Sequence, residues 1–386
     1  MAKSRPIYVE IDIRGGMDRL WDYTQNPEKH REWDLRFTDI RYLPKEKEHE
    51  PQRFRYETRI GFGLRIRGDG ETTAVVEGPG GERTSALRFG SGQALSLIRE
   101  GAGYWKYIPL ADPEGGHSDS GGKRERPAEG SPSGGTRGTS VEASGSAEET
   151  ARTRADGDSA ASAFEGSVSP LAASGGPAAP VGPVQPEPSH QSQGVVRFLT
   201  RYDYRTRFGL PGRLVDRLLF RPLMGWATAW SFDCLRLWIE RGIAPAVSLQ
   251  RSLIHYTAVF LLTFLWIYHG LVPKLLFTYT GERELLGELG SVFAGKETAV
   301  LAAVGIGEIL FGLLHWRFHR SRLLYYADLA GLVLLLIGAA VSSPMVLAAP
   351  FNPVSLNVSM AGLALIALWT RRDLPSASRC RRSPGG

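Results

Sequence analysis

Cysteine is nearly absent. Only Cys234 and Cys380 occur in 386 residues, far apart, so neither a disulfide framework nor a cysteine metal site is available. The amino terminus lacks an apolar stretch: Met1-Ala-Lys-Ser-Arg-Pro runs straight into an alternating segment, and no cleaved signal peptide is expected. Residues 1–110 contain no Gly-rich phosphate loop, no nucleophile elbow and no His-x-x-x-His pair. His30 and His49 lie in charge-rich stretches that predict solvent exposure, and Glu10 and Asp12 share a strand face that reads as solvated. Residues 111–193 are poor in large apolar side chains, with Val141, Phe164, Val168, Leu171, Val181 and Val184 the sizeable ones. Such a segment cannot offset its ordering entropy by burial, so it reads as a disordered insertion. Long basic runs are missing too. The formal charge is +6, but much of the excess flanks apolar segments, so no nucleic-acid partner is expected.

Long uncharged runs dominate the second half. Leu253–Val272 is interrupted only by His255, Thr257, Thr263 and His269. As a helix it would be ~30 Å long, the thickness of a bilayer's hydrocarbon core. Trp266, Tyr268 and Lys274 crowd one end, as interfacial anchors do. Thr298–Trp316, Leu323–Val341 and Val354–Trp369 are three further spans, giving an all-α four-transmembrane-helix bundle over 251–372 and a disordered tail, 373–386. Arg317, Arg320 and Arg322 separate spans two and three, and the tail is arginine-rich, whereas 273–297 is net negative. The positive-inside bias places both termini in the cytoplasm of a multi-pass inner-membrane protein.

The first half alternates. Ile7, Val9, Ile11 and Ile13 share one face of a strand, and Met17–Thr24 and the Asn26-Pro27 turn towards Trp33 are short helices. Strand-like runs recur at Phe37–Leu43, Arg53–Gly61, Gly70–Glu77, Arg83–Phe89 and Leu95–Leu110. The pattern resumes after Gly194 with Val196, Phe198, Thr200, Tyr202, Tyr204 and Thr206 on one face. A helix then covers 212–241, where Pro222 should kink or restart it. One domain, 5–110 plus 194–242, interrupted by the insertion, is the economical topology, since loop-closure entropy grows only logarithmically with length.

These strings carry a resemblance. RLWDYTQNPEKHREWD, YWKYIPL, TRYDYRTRFG and RPLMGWATAWSFDCLRLWIERG, in this order, resemble the START-like, polyketide cyclase/dehydrase superfamily (SRPBCC). The resemblance implies an α+β helix-grip domain, a curved antiparallel sheet around a long C-terminal helix, with a cavity between them. Tyr56, Thr58, Thr200, Tyr202 and Tyr204 would give that cavity apolar walls with hydroxyls, and Trp226 and Trp230 would face it from the helix. The pattern leaves open which face of Tyr104–Ile108 points inward, so Trp105 and Tyr107 join the candidates on either reading. The plainer alternative is that these aromatics fill a core.

In the second half, WIYHGLVPKLLF closing span one and GIGEILFGLLHW within span two are similar to the DoxX-like family of small bacterial membrane proteins. That family is mostly uncharacterised, and some relatives are associated with quinone-linked sulfur oxidation or redox stress. The ionisable residues inside the spans form a candidate polar site: Glu308 near mid-span, His315 and Asp328 as expected neighbours, and His269 with Lys274 at the outer end of span one, roughly 10 Å above Glu308 by helical rise. His315 and His319 stand four apart, but no third metal ligand accompanies them.

The expected function is non-catalytic: a membrane-tethered module that captures a small hydrophobic ligand (lipid, quinone or polyketide-like) in a cytoplasmic cavity and exchanges it with membrane lipid. Two alternatives stand beside it, a quinone- or proton-coupled oxidoreductase subunit centred on Glu308, and a scaffold recruiting a partner. No cofactor motif is evident, and a quinone is the one cofactor left open.

Overall fold

A computed structural model of the chain describes residues 5–45, 47, 50–60, 63–110, 194–279, 295–342, 344–348 and 352–384. The insertion expected at 111–193 and the exposure expected of His49 lie outside the described residues. Seven strands form one antiparallel sheet: β1 Ile7–Arg14, β2 Asp39–Tyr42, β3 Gln52–Ile60, β4 Leu64–Glu77, β5 Arg83–Gly90, β6 Ile98–Leu110 and β7 Val195–Thr206. Their order is β1-β7-β6-β5-β4-β3-β2, and Leu110 pairs with Val195, so the two ends flanking 111–193 are neighbours. β4 begins at Leu64, ahead of the expected Gly70: Arg65, Arg67 and Asp69 share one face of its first part, and Gly68 and Gly70 thin out the apolar face of Leu64 and Ile66.

Between β1 and β2 lie α1 (Met17–Gln25) and α2 (Pro27–Trp33). Asn26 caps α2 by accepting from the Glu28 amide, and Pro27 stands at its first position, where a missing N–H costs nothing. After β7 the chain enters α3 (Gly209–Val215), passes through a π turn at Asp216–Phe220 and continues as α4 (Arg221–Arg241). The π turn is how Pro222 is accommodated. An extra residue in the turn ahead of it relieves the ring's clash with the preceding carbonyls, so the helix runs on past the proline.

All of the buried positions of α4 lie from Thr228 onward. There Phe232 stacks on Phe198 of β7 at 4.4 Å, and Ala229, Leu235 and Ile239 complete a core with Ile7, Val9, Ile11, Ile13 and Trp33. Half of the helix is therefore docked on β1 and β7, while its N-terminal half stands over the remaining strands. That second half of the sheet carries aromatic rings laid across glycines. Tyr56 lies opposite Gly68, where a Cβ would come within 2.2 Å of the ring, and Phe54 and Phe89 lie likewise opposite Gly70 and Gly101, at 2.3 and 2.5 Å.

Four helices follow: α5 (Pro245–Leu271, prolonged by a π turn at Val272–Leu276), α6 (Glu297–Arg317), α7 (Arg322–Ser342) and α8 (Pro353–Thr370). All four are long and apolar enough to cross a membrane. α5 and α6 touch backbone to backbone: Cβ atoms at Gly270 and Gly305 would meet each other's carbonyl oxygens at 2.3 and 2.6 Å. Small residues at a crossing let transmembrane helices approach this closely.

The tail corrects an expectation. Residues 374–384 were expected to be disordered, yet they lie along α4 and reach the free edge of β1. Glu10 and Arg381 exchange backbone hydrogen bonds of 2.9 Å each way, and Arg381 also binds the Glu10 carboxylate at 2.8 Å. Glu10 is thus buried rather than solvated. Cys380 and Ala377 pack into the domain core, and the fully buried Asp233 accepts from the Ser376 amide (2.8 Å) and from Arg236 (2.7 Å). The covered edge is one that would otherwise be open to pairing with another chain. Charge hid this segment: three arginines, Arg379, Arg381 and Arg382, outweigh its few apolar residues in any composition reading. Removing residues 374–386 should lower the melting temperature of the purified protein and promote self-association. Asp233→Ala alone should cost about 3 kcal/mol, the penalty for breaking a buried ionic cluster, as read by chemical denaturation.

Candidate functional site

The uncovered part of the sheet, α2 and the N-terminal half of α4 enclose a cavity of about 850 Å³. Six of the nine residues expected to line it do so: Tyr56, Thr58, Trp105, Thr200, Tyr202 and Trp226. The other three are displaced for identifiable reasons. Tyr107 shares the inner face of β6 with Trp105, but α1 covers it, and its hydroxyl meets Thr24 (2.7 Å) and Gln25 (2.9 Å). Tyr204 lies under the π turn, where it donates to Asp216 at 2.6 Å with the Arg221 guanidinium 4.5 Å from its ring. Trp230 falls in the docked half of α4 and is core.

The wall holds an ionic group that the sequence reading placed in solvent. His30, near the end of α2, lies among Trp33, Phe37 and Trp105, and its side chain is only 12 % exposed. Asp34, the C-cap residue one turn on, is fully buried and accepts from His30 Nε2 at 3.0 Å. Arg36 grips the same carboxylate with Nε (2.8 Å) and Nη2 (2.6 Å), the paired geometry in which a guanidinium is strongest. Arg36 and His30 line the cavity, and Asp34 stands behind them. Burial pushes the His30 imidazole below its ordinary value, against the pull of Asp34. Burial would raise the Asp34 carboxyl, but the Arg36 charge and hydrogen bonds overcome it and hold the group well below the usual carboxylate range. The spacing His30-x-x-x-Asp34-x-Arg36 was visible in the sequence, and Trp33 within it was the signal that the group is inside.

The second candidate site, in the bundle, separates into two places. Lys274 reaches Glu308 directly, Nζ to Oε2 at 2.9 Å, and also donates to the His269 carbonyl at 3.2 Å. The expected ~10 Å gap is closed because the Gly270–Gly305 contact brings the end of α5 against the middle of α6. His269 takes part here through its backbone. Two helical turns away along α6, His315 and Asp328 are neighbours as expected, 3.4 Å apart and fully buried, and Trp266 Nε1 donates to the other Asp328 oxygen at 2.9 Å. His315 Nδ1 lies 3.0 Å from the Phe311 carbonyl, which can only accept, so Nδ1 carries a proton. Nε2 then faces Asp328 Oδ2. His319 turns away from His315 and meets His255 at 3.0 Å, and among the described residues no group of three possible metal ligands converges.

Lys274→Met should be more damaging than the double variant Lys274→Met/Glu308→Leu. The single change strands a buried carboxylate and should cost about 3 to 5 kcal/mol, whereas losing both charges should be near neutral. Thermal stability in detergent reads the difference.

Comparison with known proteins places the bundle. Residues 263–365 match the model of the DoxX-like family. The chain is also 35 % identical over 283 residues to the uncharacterized membrane protein YndG of Bacillus subtilis (strain 168), an alignment covering 73 % of this chain and 75 % of that protein. No solved structure matches. The chain therefore belongs to the family of that Bacillus subtilis membrane protein, with a DoxX-like domain formed by its apolar helices.

Proposed function

We propose that this is a bacterial inner-membrane protein whose helix-grip domain takes up a small hydrophobic ligand and exchanges it with the bilayer. The observation that carries the reading is the 850 Å³ cavity under a half-docked helix, a size typical of small-molecule sites. Its mouth supports the exchange step. Phe208, Val215, Leu223 and Trp226 both line the cavity and stand exposed, and Leu210, Leu214 and Leu218 extend the same apolar lip. A greasy opening on a chain with four membrane-length helices suits a ligand arriving from lipid. Arg317, Arg320, Arg322, Arg371 and Arg372 support a cytoplasmic position for the domain, since they cluster where α6, α7 and α8 meet the domain side.

A second reading, proton- or quinone-coupled chemistry in the bundle, is favoured by one observation. The His315–Asp328 pair sets an imidazole against a carboxylate in a fully buried place. Glu308, the expected centre of such chemistry, is instead matched by Lys274.

Native mass spectrometry of the detergent-purified protein should show a co-purified apolar molecule. Ala227→Trp, which puts a bulky ring into the cavity wall, should release it while leaving the melting temperature within a few degrees of the parent. A bound molecule unaffected by that change would move the site to the bundle. For topology, a cysteine at Tyr279 should react with an impermeant reagent added to intact cells, and one at Ser321 should not. The reverse labelling would place the domain outside.

A further inference from the structure

Most of the hydroxyls that give the cavity wall its polar character are already committed. Tyr56 donates to the Gly90 carbonyl (3.1 Å), Thr58 to that of Arg36 (2.6 Å), Thr200 to that of Tyr104 (3.1 Å) and Ser96 to that of Ile98 (2.8 Å). Thr228 gives its proton to the Met224 carbonyl at 2.8 Å, so the 2.9 Å contact with Tyr202 uses the Tyr202 proton. A ligand therefore finds few donors among them. Arg36 differs: Asp34 occupies Nε and Nη2, and Tyr202 lies against the guanidinium as well, but a group with five N–H donors keeps some for a ligand. Among the described residues it is also the one lining side chain with a permanent charge.

That charge is cancelled from behind. Asp34 lies against Arg36 with no exposure, so the pair offers hydrogen-bond donors without net charge. We propose that the Arg36–Asp34 pair makes the cavity selective for amphiphiles whose head is an uncharged oxygen acceptor, a ketone, quinone or ester carbonyl, over those ending in a carboxylate. The proposal rests on the reading that the cavity takes a hydrophobic ligand. A carbonyl accepts from Arg36 and leaves the site neutral. A carboxylate brings one unbalanced negative charge into apolar surroundings beside Asp34, and such a charge is expensive to bury.

The test compares two ligands of one shape, methyl nonyl ketone and decanoate, with the delipidated full-length protein in detergent at neutral pH. The ketone should bind at least about tenfold more tightly. Asp34→Asn keeps the side-chain shape and removes the cancelling charge, so the order should reverse. Equal or tighter binding of decanoate by the parent protein, or an unchanged order in a folded Asp34→Asn variant, overturns the proposal. Should that variant not fold, calorimetry of the parent in two buffers of different ionisation heat decides. Decanoate should enter as the neutral acid, taking up about one proton, and the ketone should take up none; decanoate bound without proton uptake overturns the selectivity. If neither compound binds, the ligand-capture reading itself falls, a result distinct from binding without discrimination.

Discussion

The stack of Phe232 on Phe198 decides where the long helix of the sheet domain can rest. Around it gather Trp33, Trp105 and Tyr107, so the densest packing lies over β1, β6 and β7 and under the second half of α4. The buried positions of α4 begin only at Thr228, and the space lies beside its first half. Tyr56, Phe54 and Phe89 leave part of the space unfilled, because each lies across a glycine on the neighbouring strand. The cavity is thus a property of backbone register and ring placement together.

Both halves of the molecule keep ionisable groups in dry places, and they solve the problem alike. Asp34 is satisfied by Arg36, Asp233 by Arg236 and the tail, and Glu308 by Lys274. In every case an acid that could not stay charged alone is matched by a base within hydrogen-bonding reach. His315 and Asp328 depart from the pattern, since no permanent cation stands beside the carboxylate among the described contacts, only an imidazole whose charge depends on a proton. Glu308, matched by Lys274, is held where α5 packs against α6.

What was legible in the sequence had a short period. The alternation of Ile7 to Ile13 and of Val196 to Tyr204 gave strands and faces directly, and the uncharged runs gave the last three spans to within one residue, while the first helix begins at Pro245, ahead of its uncharged run. What was not legible depended on register between distant segments. The placing of Tyr56 over Gly68 needs the β3–β4 pairing, and the Lys274–Glu308 contact needs the crossing at Gly270 and Gly305. Tyr107 and Trp105 are two residues apart on one face, and only the position of α1 separates core from cavity. The tail escaped for a different reason. Its interactions are those of arginines with acids on a strand edge, and composition cannot distinguish such arginines from solvated ones.

The tail also ties the two ends of the chain into one argument about coupling. Asp373 follows α8 by three residues and pairs with Arg241, the last residue of α4. From there the chain runs back along α4 past Asp233 and Ala229 to Glu10 of β1. α4 is therefore held to the bundle at two points, through the short link into α5 and through the strap that returns from α8. One link would leave the domain free to swing. Two links on the same helix restrain it and join the docked half of α4 to both the first and the last span.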